Sequence, residues 1–342
     1  MMAFLIKFMT KSLPFIFFCI LQALSIIVCL LISVAFITLL ERKVLAMIQR
    51  RQGPNVIGVF GLLQPLADGF KLLMKETIIP STSEKFLFII APILSFLISL
   101  LGWGVIPFDK YAIYADINIG LLYILSVSSL GIYGIIISGW ASNSKYAFLG
   151  ALRSSAQMVS YELSITFSIL SAVTLAGSLN LNTIIFNQRH VWYVFPLFVP
   201  FLIFFIAGLA ETNRHPFDLP EAESELVSGY NVEYSAMTFA LFSLAEYSNI
   251  LMMCALNSIL FFGGWLAPFE CLDIIPGFWF SLKVCFFAVL FIYARALLPR
   301  YRYDQLMSLG WKVLLPLSLG YLMIVIAFVY QTQAFPNYLS YF

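Results

Sequence analysis

The chain has 342 residues, of which 61% are hydrophobic and only 11% charged, with a formal charge of +2. Its mean hydropathy is +0.95. A soluble domain of ordinary composition carries about 25% charged residues. Composition therefore excludes a soluble globular enzyme, a disordered chain and a nucleic-acid-binding protein. What remains is an all-α polytopic membrane protein.

A spanning helix needs about 20 mostly apolar residues. Residues 12–40, 86–108, 117–144, 190–210 and 313–342 carry no charge, while 153–176 (beyond Arg153 at its start), 234–263 and 276–294 each hold one: Glu162, Glu246 and Lys283. The expectation is eight transmembrane helices in one integral-membrane domain, 1–342. The first is too long for a signal-peptide core and lacks a small-residue cleavage site after it, so it is expected to be retained. Eight spans place both termini on one side. The loops after helices 1, 3, 5 and 7 then carry 14 of the 19 Lys and Arg, which assigns them to the cytoplasm or the mitochondrial matrix. Lys283 lies near enough to a span end to snorkel.

The first of these loops begins Glu41-Arg42-Lys43 and continues Gln49-Arg50-Arg51-Gln52-Gly53-Pro54. A short amphipathic helix is predicted over about 60–75. Leu63, Leu66, Ala67, Phe70, Leu73 and Met74 follow helical spacing, with Gln64, Asp68, Lys71 and Lys75 opposite. Such a helix lies in the membrane interface. Between Glu211 and Glu233 the charge pattern inverts: six acids (Glu211, Asp218, Glu221, Glu223, Glu225, Glu233) face one base, Arg214. Apolar and turn residues are interleaved, which a merely solvated acidic loop does not need, and carboxyls crowded against apolar neighbours hold protons more readily. Glu162 and Glu246 lie deeper still, where a carboxylate is costly unless neutral, paired or hydrated. A proton relay is the reading favoured over two structural carboxyls. The last loop alternates Arg300-Tyr301-Arg302-Tyr303, which fits either charge anchoring or the mouth of a cavity for a polar-headed, greasy ligand.

The five cysteines (19, 29, 254, 271 and 285) form no CxxC pair. His190 and His215 have no metal-ligand neighbour at useful spacing, and no phosphate-cradling glycine motif occurs. No metal is expected here. Any nucleotide, flavin (FMN) or iron–sulfur cluster is expected on partner subunits.

Four stretches together resemble subunit 1 of the proton-pumping NADH:ubiquinone oxidoreductase, respiratory complex I, in its mitochondrial form. They are Glu41 to Lys75, Asn143 to Glu162, Glu211 to Tyr234 and Arg295 to Trp311, in the family's order. Two departures are visible: Gln52, where many relatives have Lys, and His215, where a small residue is more usual. The resemblance implies a non-redox subunit of the mitochondrial inner membrane, inactive alone, seated among the other membrane-arm subunits and lipids beneath the hydrophilic quinone-module subunits. It implies that Arg42, Gln49, Arg51, Asp68, Phe239 and Arg295 line or gate a tunnel for the substrate ubiquinone. Arg214, Asp218, Glu221, Glu223 and Glu225 would form an acidic loop facing that cavity. Arg153, Tyr161, Glu162, Glu211, Glu233 and Glu246 would begin a charged path into the rest of the membrane arm. A membrane-bound hydrogenase subunit would share these motifs without quinone, and a cation/proton antiporter would work as a single chain.

The charge bias makes a topological prediction. Thiol-label or protease mapping in sealed vesicles should find loops 41–85, 139–153, 211–233 and 295–312 on one common side; finding 211–233 opposite to 41–85 overturns it.

Overall fold

The computed structural model describes residues 2–110, 112–218, 229–268 and 276–332. Glu221, Glu223 and Glu225 therefore lie outside the described residues. Helices α1 (Met2–Ile48), α2 (Gln64–Met74), α3 (Lys85–Leu101), α4 (Gly120–Ala141), α5 (Lys145–Ala176) and α6 (Leu181–Asn187) come first. Then follow α7 (Phe198–Glu211), α8 (Ala236–Phe261), α9 (Pro276–Leu297), α10 (Tyr303–Ser308) and α11 (Leu315–Thr332). No β-strand occurs among the described residues. A π-helical turn, Leu309–Leu314, joins α10 to α11.

Among the described residues, seven helical stretches are long and apolar enough to cross a membrane: Ile20–Ile48, Lys85–Val105, Gly120–Ala141, Lys145–Ala176, Ala236–Phe261, Gly277–Leu297 and Tyr303–Thr332. The eighth expected span, 190–210, is different. It contains α7, which has only 14 residues, about 21 Å at 1.5 Å per residue against a hydrocarbon core of about 30 Å. Pro196 explains the late start, because it has no N–H to donate and disfavours helical geometry at Phe195. The backbone before α7 instead finds partners in its neighbours, with Val194 N–H donating to the Phe261 carbonyl at 2.9 Å.

The expected amphipathic helix is α2, a little shorter than predicted. It packs beside α1 and α8, and Leu66, Phe70, Leu73 and Met74 stay 58–85% exposed. An exposed apolar stripe of this kind suits the lipid interface.

Helix α5 is the central strut, in contact with α4, α7 and α11. The Ser144 hydroxyl caps its first turn, accepting from Ala147 N–H, and Gly177 ends it at φ 68°, a left-handed conformation that glycine adopts without strain. Its buried face is built of small residues, among them Gly150, Ala151, Ser154, Ser164, Ser168 and Ala172. Small side chains let membrane helices approach closely, since lipid supplies no hydrophobic drive between them. At the far end, the rings of Phe201, Phe261, Phe262 and Phe287 lie 5.0–6.1 Å apart and lock α7, α8 and α9 together.

Lys283 does not snorkel. It is 7% exposed, and its Nζ donates to the carbonyls of Phe262, Gly264 and Leu266 at 2.6–2.9 Å, with the Trp192 ring 4.7 Å away. The end of α8 leaves carbonyls without intrahelical donors, and a cation from α9 satisfies them better than it could reach water.

The α4–α5 contact yields a stability prediction. A Cβ at Gly139 would lie 2.3 Å from the Ala151 Cβ and 3.0 Å from the Ala147 carbonyl oxygen. Gly139→Ala should cost about 1–3 kcal/mol of overpacking, read as a lowered thermal midpoint of the detergent-solubilised assembly. An unchanged midpoint would mean that α4 and α5 do not pack this closely.

Candidate functional site

The site begins where α1 leaves the apolar layer. Glu41, in the last turns of α1, is buried at 5% exposure, and a buried carboxylate must be paired. It is held by three elements at once. Arg214, just beyond α7, donates to Oε1 at 2.8 Å; Arg295 of α9 donates to the same oxygen; Tyr247 of α8 donates its hydroxyl to Oε2 at 2.7 Å. The Arg214 guanidinium also sits 4.5 Å over the Tyr247 ring. Burial works against its charge, yet Tyr247, Glu41 and Glu246 keep its pKa above the ordinary arginine value.

A buried glutamine places Arg214. Gln157 of α5 donates from Nε2 to the Ala210 carbonyl at 2.8 Å and the Phe217 carbonyl at 2.9 Å, gripping both ends of the turn after α7. Phe217 in turn stacks on Tyr301 (5.6 Å, 14°) and leans on Tyr161 (5.8 Å). Tyr301 N–H donates to the Pro216 carbonyl at 3.1 Å. The C-terminal loop thus braces the 211–218 turn.

In front of this turn lies a cavity of about 680 Å³ bounded by α1, α2 and α8. Ligand pockets commonly measure about 300–1,000 Å³. Charged heads gather on its walls: Glu41, Arg42, Asp68, Arg214, Asp218 and Arg295, with His215 and Glu246. Leu45, Leu72, Leu73 and Phe239 supply apolar wall, and Leu73 and Phe239 continue to the outer surface at 61% and 41% exposure. Arg42 and Asp68 pair at 2.7 Å across α1 and α2. At 50% and 39% side-chain exposure, such a pair is worth about 0–1 kcal/mol, so its use is to orient both heads at the rim.

A second cavity of about 80 Å³ lies deeper, between α3, α4, α5 and α8, with Glu211, Thr212, Glu246 and Asn249 on its walls. That is room for a few waters at about 15 Å³ each. Glu246 lines both cavities and accepts a hydrogen bond from the Tyr230 hydroxyl at 2.5 Å. Glu162 accepts from the Ser129 hydroxyl of α4 and is near enough to Glu211 for the two carboxyls to repel. Glu211 Oε2 is buried with no partner.

The expected residues thus separate into groups. Arg42, Asp68, Phe239, Arg295, Arg214 and Asp218 share the large cavity. Gln49 and Arg51 do not line it; they are exposed and bond to one another, Arg51 Nε donating to Gln49 Oε1 at 2.8 Å. Glu211 and Glu246 share the inner cavity, with Glu162 beside Glu211. Glu233 is half-buried before α8 and lines neither. Tyr161 and Arg153 engage α10 instead: the Tyr161 hydroxyl donates to the Leu306 carbonyl at 2.9 Å, and Arg153 lies 5.8 Å over the Tyr303 ring. Sequence reasoning missed four partners, namely Glu41 as a hub, Gln157, Tyr230 and Tyr247. An uncharged polar residue inside an apolar span, as Gln157 is, was the one available signal.

The hub makes a prediction. Glu41→Gln leaves the Arg214 and Arg295 charges without their counter-charge, a loss of about 3–5 kcal/mol for a buried pair. Assembly yield and thermal midpoint should fall clearly, and more than for Arg295→Ala, whose side chain is 37% exposed. Equal losses would place the weight of the cluster on Arg295 instead.

Comparison with known proteins agrees with this arrangement. Residues 21–326 match the NADH dehydrogenase family. The chain is 61% identical over 308 residues to NADH-ubiquinone oxidoreductase chain 1 of Chondrus crispus, covering 89% of this chain and 94% of that protein. It is 56% identical over 319 residues to the protein of the same name in Cyanidium caldarium, covering 92% and 93%. The corresponding protein of Arabidopsis thaliana, again of that name, is 59% identical over 303 residues, covering 87% and 93%. With a match across most of its length and a paired-charge cavity built from the matching segments, the chain belongs to the NADH dehydrogenase family.

Proposed function

We propose that this chain is a core membrane subunit of the proton-translocating NADH:ubiquinone oxidoreductase of the mitochondrial inner membrane. It forms the membrane side of the ubiquinone-binding tunnel and starts the acidic path that couples quinone reduction to proton movement. The observation that carries this reading is the 680 Å³ cavity, in which charged heads and an apolar wall reaching the outer surface occur together. A quinone has the same two parts: a head with carbonyl oxygens that accept hydrogen bonds, and an isoprenoid tail that needs an apolar entry. Arg42 and Arg295 supply donors, while Leu72, Leu73 and Phe239 supply the greasy wall.

Electrons reach the quinone from FMN and iron–sulfur clusters on hydrophilic partner subunits, and this chain binds none of them. Its own contribution is electrostatic. Reduction of the quinone takes up protons, and Glu246, on the wall common to both cavities, is placed to respond to that change and to pass it to Glu211 and Glu162 through the inner cavity. A charge change among acids in a low-dielectric region is felt by neighbouring membrane subunits. The loops at 41–85, 139–153, 211–233 and 295–312 face the matrix, with both termini on the intermembrane-space side.

Two measurements test this. Arg295→Ala or Asp68→Asn should impair quinone reduction while electron transfer from NADH to artificial acceptors persists in the assembled complex; quinone reduction at the parental rate in both variants rejects the tunnel role. Glu246→Gln and Glu162→Gln should each reduce proton-coupled turnover, with Asp at either position partly restoring it. Full proton stoichiometry at unchanged rate in both Gln variants would make these acids structural.

A further inference from the structure

His215 stands on the wall of the large cavity, the proposed function gives it no task, and its surroundings are particular. Its Nε2 lies 3.0 Å from Asp218 Oδ2 and 3.2 Å from Arg300 Nη2, and Arg300 Nη2 is itself 3.3 Å from the same Asp218 oxygen. One ring nitrogen therefore has both an obligate donor and an acceptor within reach. When Nε2 carries a proton it donates to Asp218. When it does not, it accepts from Arg300. Nε2 thus has a hydrogen-bond partner whether or not it carries a proton.

The exposure runs the right way for transfer. The His215 side chain is 23% exposed and that of Asp218 only 8%. Asp218 Oδ1 is buried with no hydrogen-bond partner, although Asp218 lines the cavity. Asp218 also lies close enough to Glu246 for the two to interact electrostatically. Among the described residues, the other charged groups on the same cavity are Glu41, Arg42, Asp68, Arg214 and Arg295. Arg42 is committed to Asp68, and Arg214 and Arg295 are committed to Glu41. Among the described residues, the Asp218 carboxylate pairs with His215 and Arg300.

We infer that His215 is a proton-transfer residue that refills Asp218 from water, and that the pair forms a proton entry on the cavity wall. This rests on the quinone-tunnel reading and deepens it. The step balances simply. The Nε2–H bond of the imidazolium breaks, the proton joins an Asp218 carboxylate oxygen, and Arg300 turns its N–H onto the vacated Nε2. The ring then regains a proton from a solvent hydronium ion, which leaves as water. Imidazole is the side chain suited to such a shuttle near neutral pH. The class of reaction served is one that consumes protons in the cavity, as reduction of a quinone does.

The test uses the intact purified complex with His215→Ala and His215→Gln, with the NADH-to-artificial-acceptor rate as the control for assembly. His215→Ala should lower quinone reduction about tenfold, less than the 10²–10⁴ of a direct acid–base group because water can partly replace a relay. Added imidazole should restore much of that rate in the Ala variant. The Gln variant, which keeps a hydrogen-bonding side chain but cannot shuttle a proton, should remain slow, and the pH profile should change shape in both. Parental turnover in both variants overturns the inference. So does a slow Ala variant that imidazole fails to rescue while Gln restores the rate, since that pattern is purely structural. The larger reading fails separately: if Arg295→Ala and Asp68→Asn both reduce quinone normally, the tunnel is elsewhere whatever His215 does.

Discussion

The Glu41 carboxylate is the contact on which the site depends. It joins α1 to α8 through Tyr247 and to α9 through Arg295, and it fixes the turn after α7 through Arg214. Helices in lipid gain little from apolar contact with one another, so a buried charge with several committed donors specifies their arrangement in a way that Leu or Phe cannot. The same pairing leaves two guanidinium groups on the cavity wall with their positions already determined. Preorganised charge costs nothing when a polar head arrives, and this is what makes such groups effective at a binding site.

The two cavities meet at one side chain. The outer one combines charged heads with an apolar wall; the inner one is small, enclosed by α3, α4, α5 and α8, and carries Glu211 and Asn249. Glu246 belongs to both, accepting a hydrogen bond from the Tyr230 hydroxyl and lying within electrostatic reach of Arg214 and Asp218. In the proposed function, a carboxyl in such a place would link chemistry in the outer cavity to charge in the inner one without moving the backbone. Coupling of this kind needs only that both sides bias the same protonation equilibrium.

Support for the site comes from elements that touch no ligand position. Gln157 grips the turn at both ends, Phe217 is held between Tyr161 and Tyr301, and the Tyr161 hydroxyl fixes the start of the C-terminal helical segment. The π-helical turn at Leu309–Leu314 begins just beyond, where Gly310 meets the Tyr161 ring. Tyr161 and Arg153, expected to stand in the charged path, contact α10, and Tyr161 also leans on Phe217. Adjacent residues on a helix point about 100° apart, so Tyr161 and Glu162 serve different neighbours.

Much of this was legible in the chain itself. Long uncharged runs bounded by charged loops are read directly as spanning helices, because a bilayer admits few alternatives. The amphipathic helix was equally visible, since its apolar positions repeat at helical period. The inversion of charge that begins at Glu211, and the acid inside α8, pointed to segments whose described residues Glu211, Asp218 and Glu246 line the two cavities. Local sequence could not pair them. Glu41 stands 173 residues from Arg214 and 254 from Arg295, and nothing in its immediate surroundings, Leu40 before it and Arg42 after, distinguishes it from an ordinary loop acid. The shortness of α7 was also hidden, because hydropathy counts apolar residues and does not register that Pro196 interrupts the helix. Lys283 read as a span-end lysine until the fold brought three unpaired carbonyls to it. Burial, pairing and the sharing of Glu246 between two cavities arise only when α1, α5, α8 and α9 pack, because each is a property of side chains meeting across helices distant in sequence.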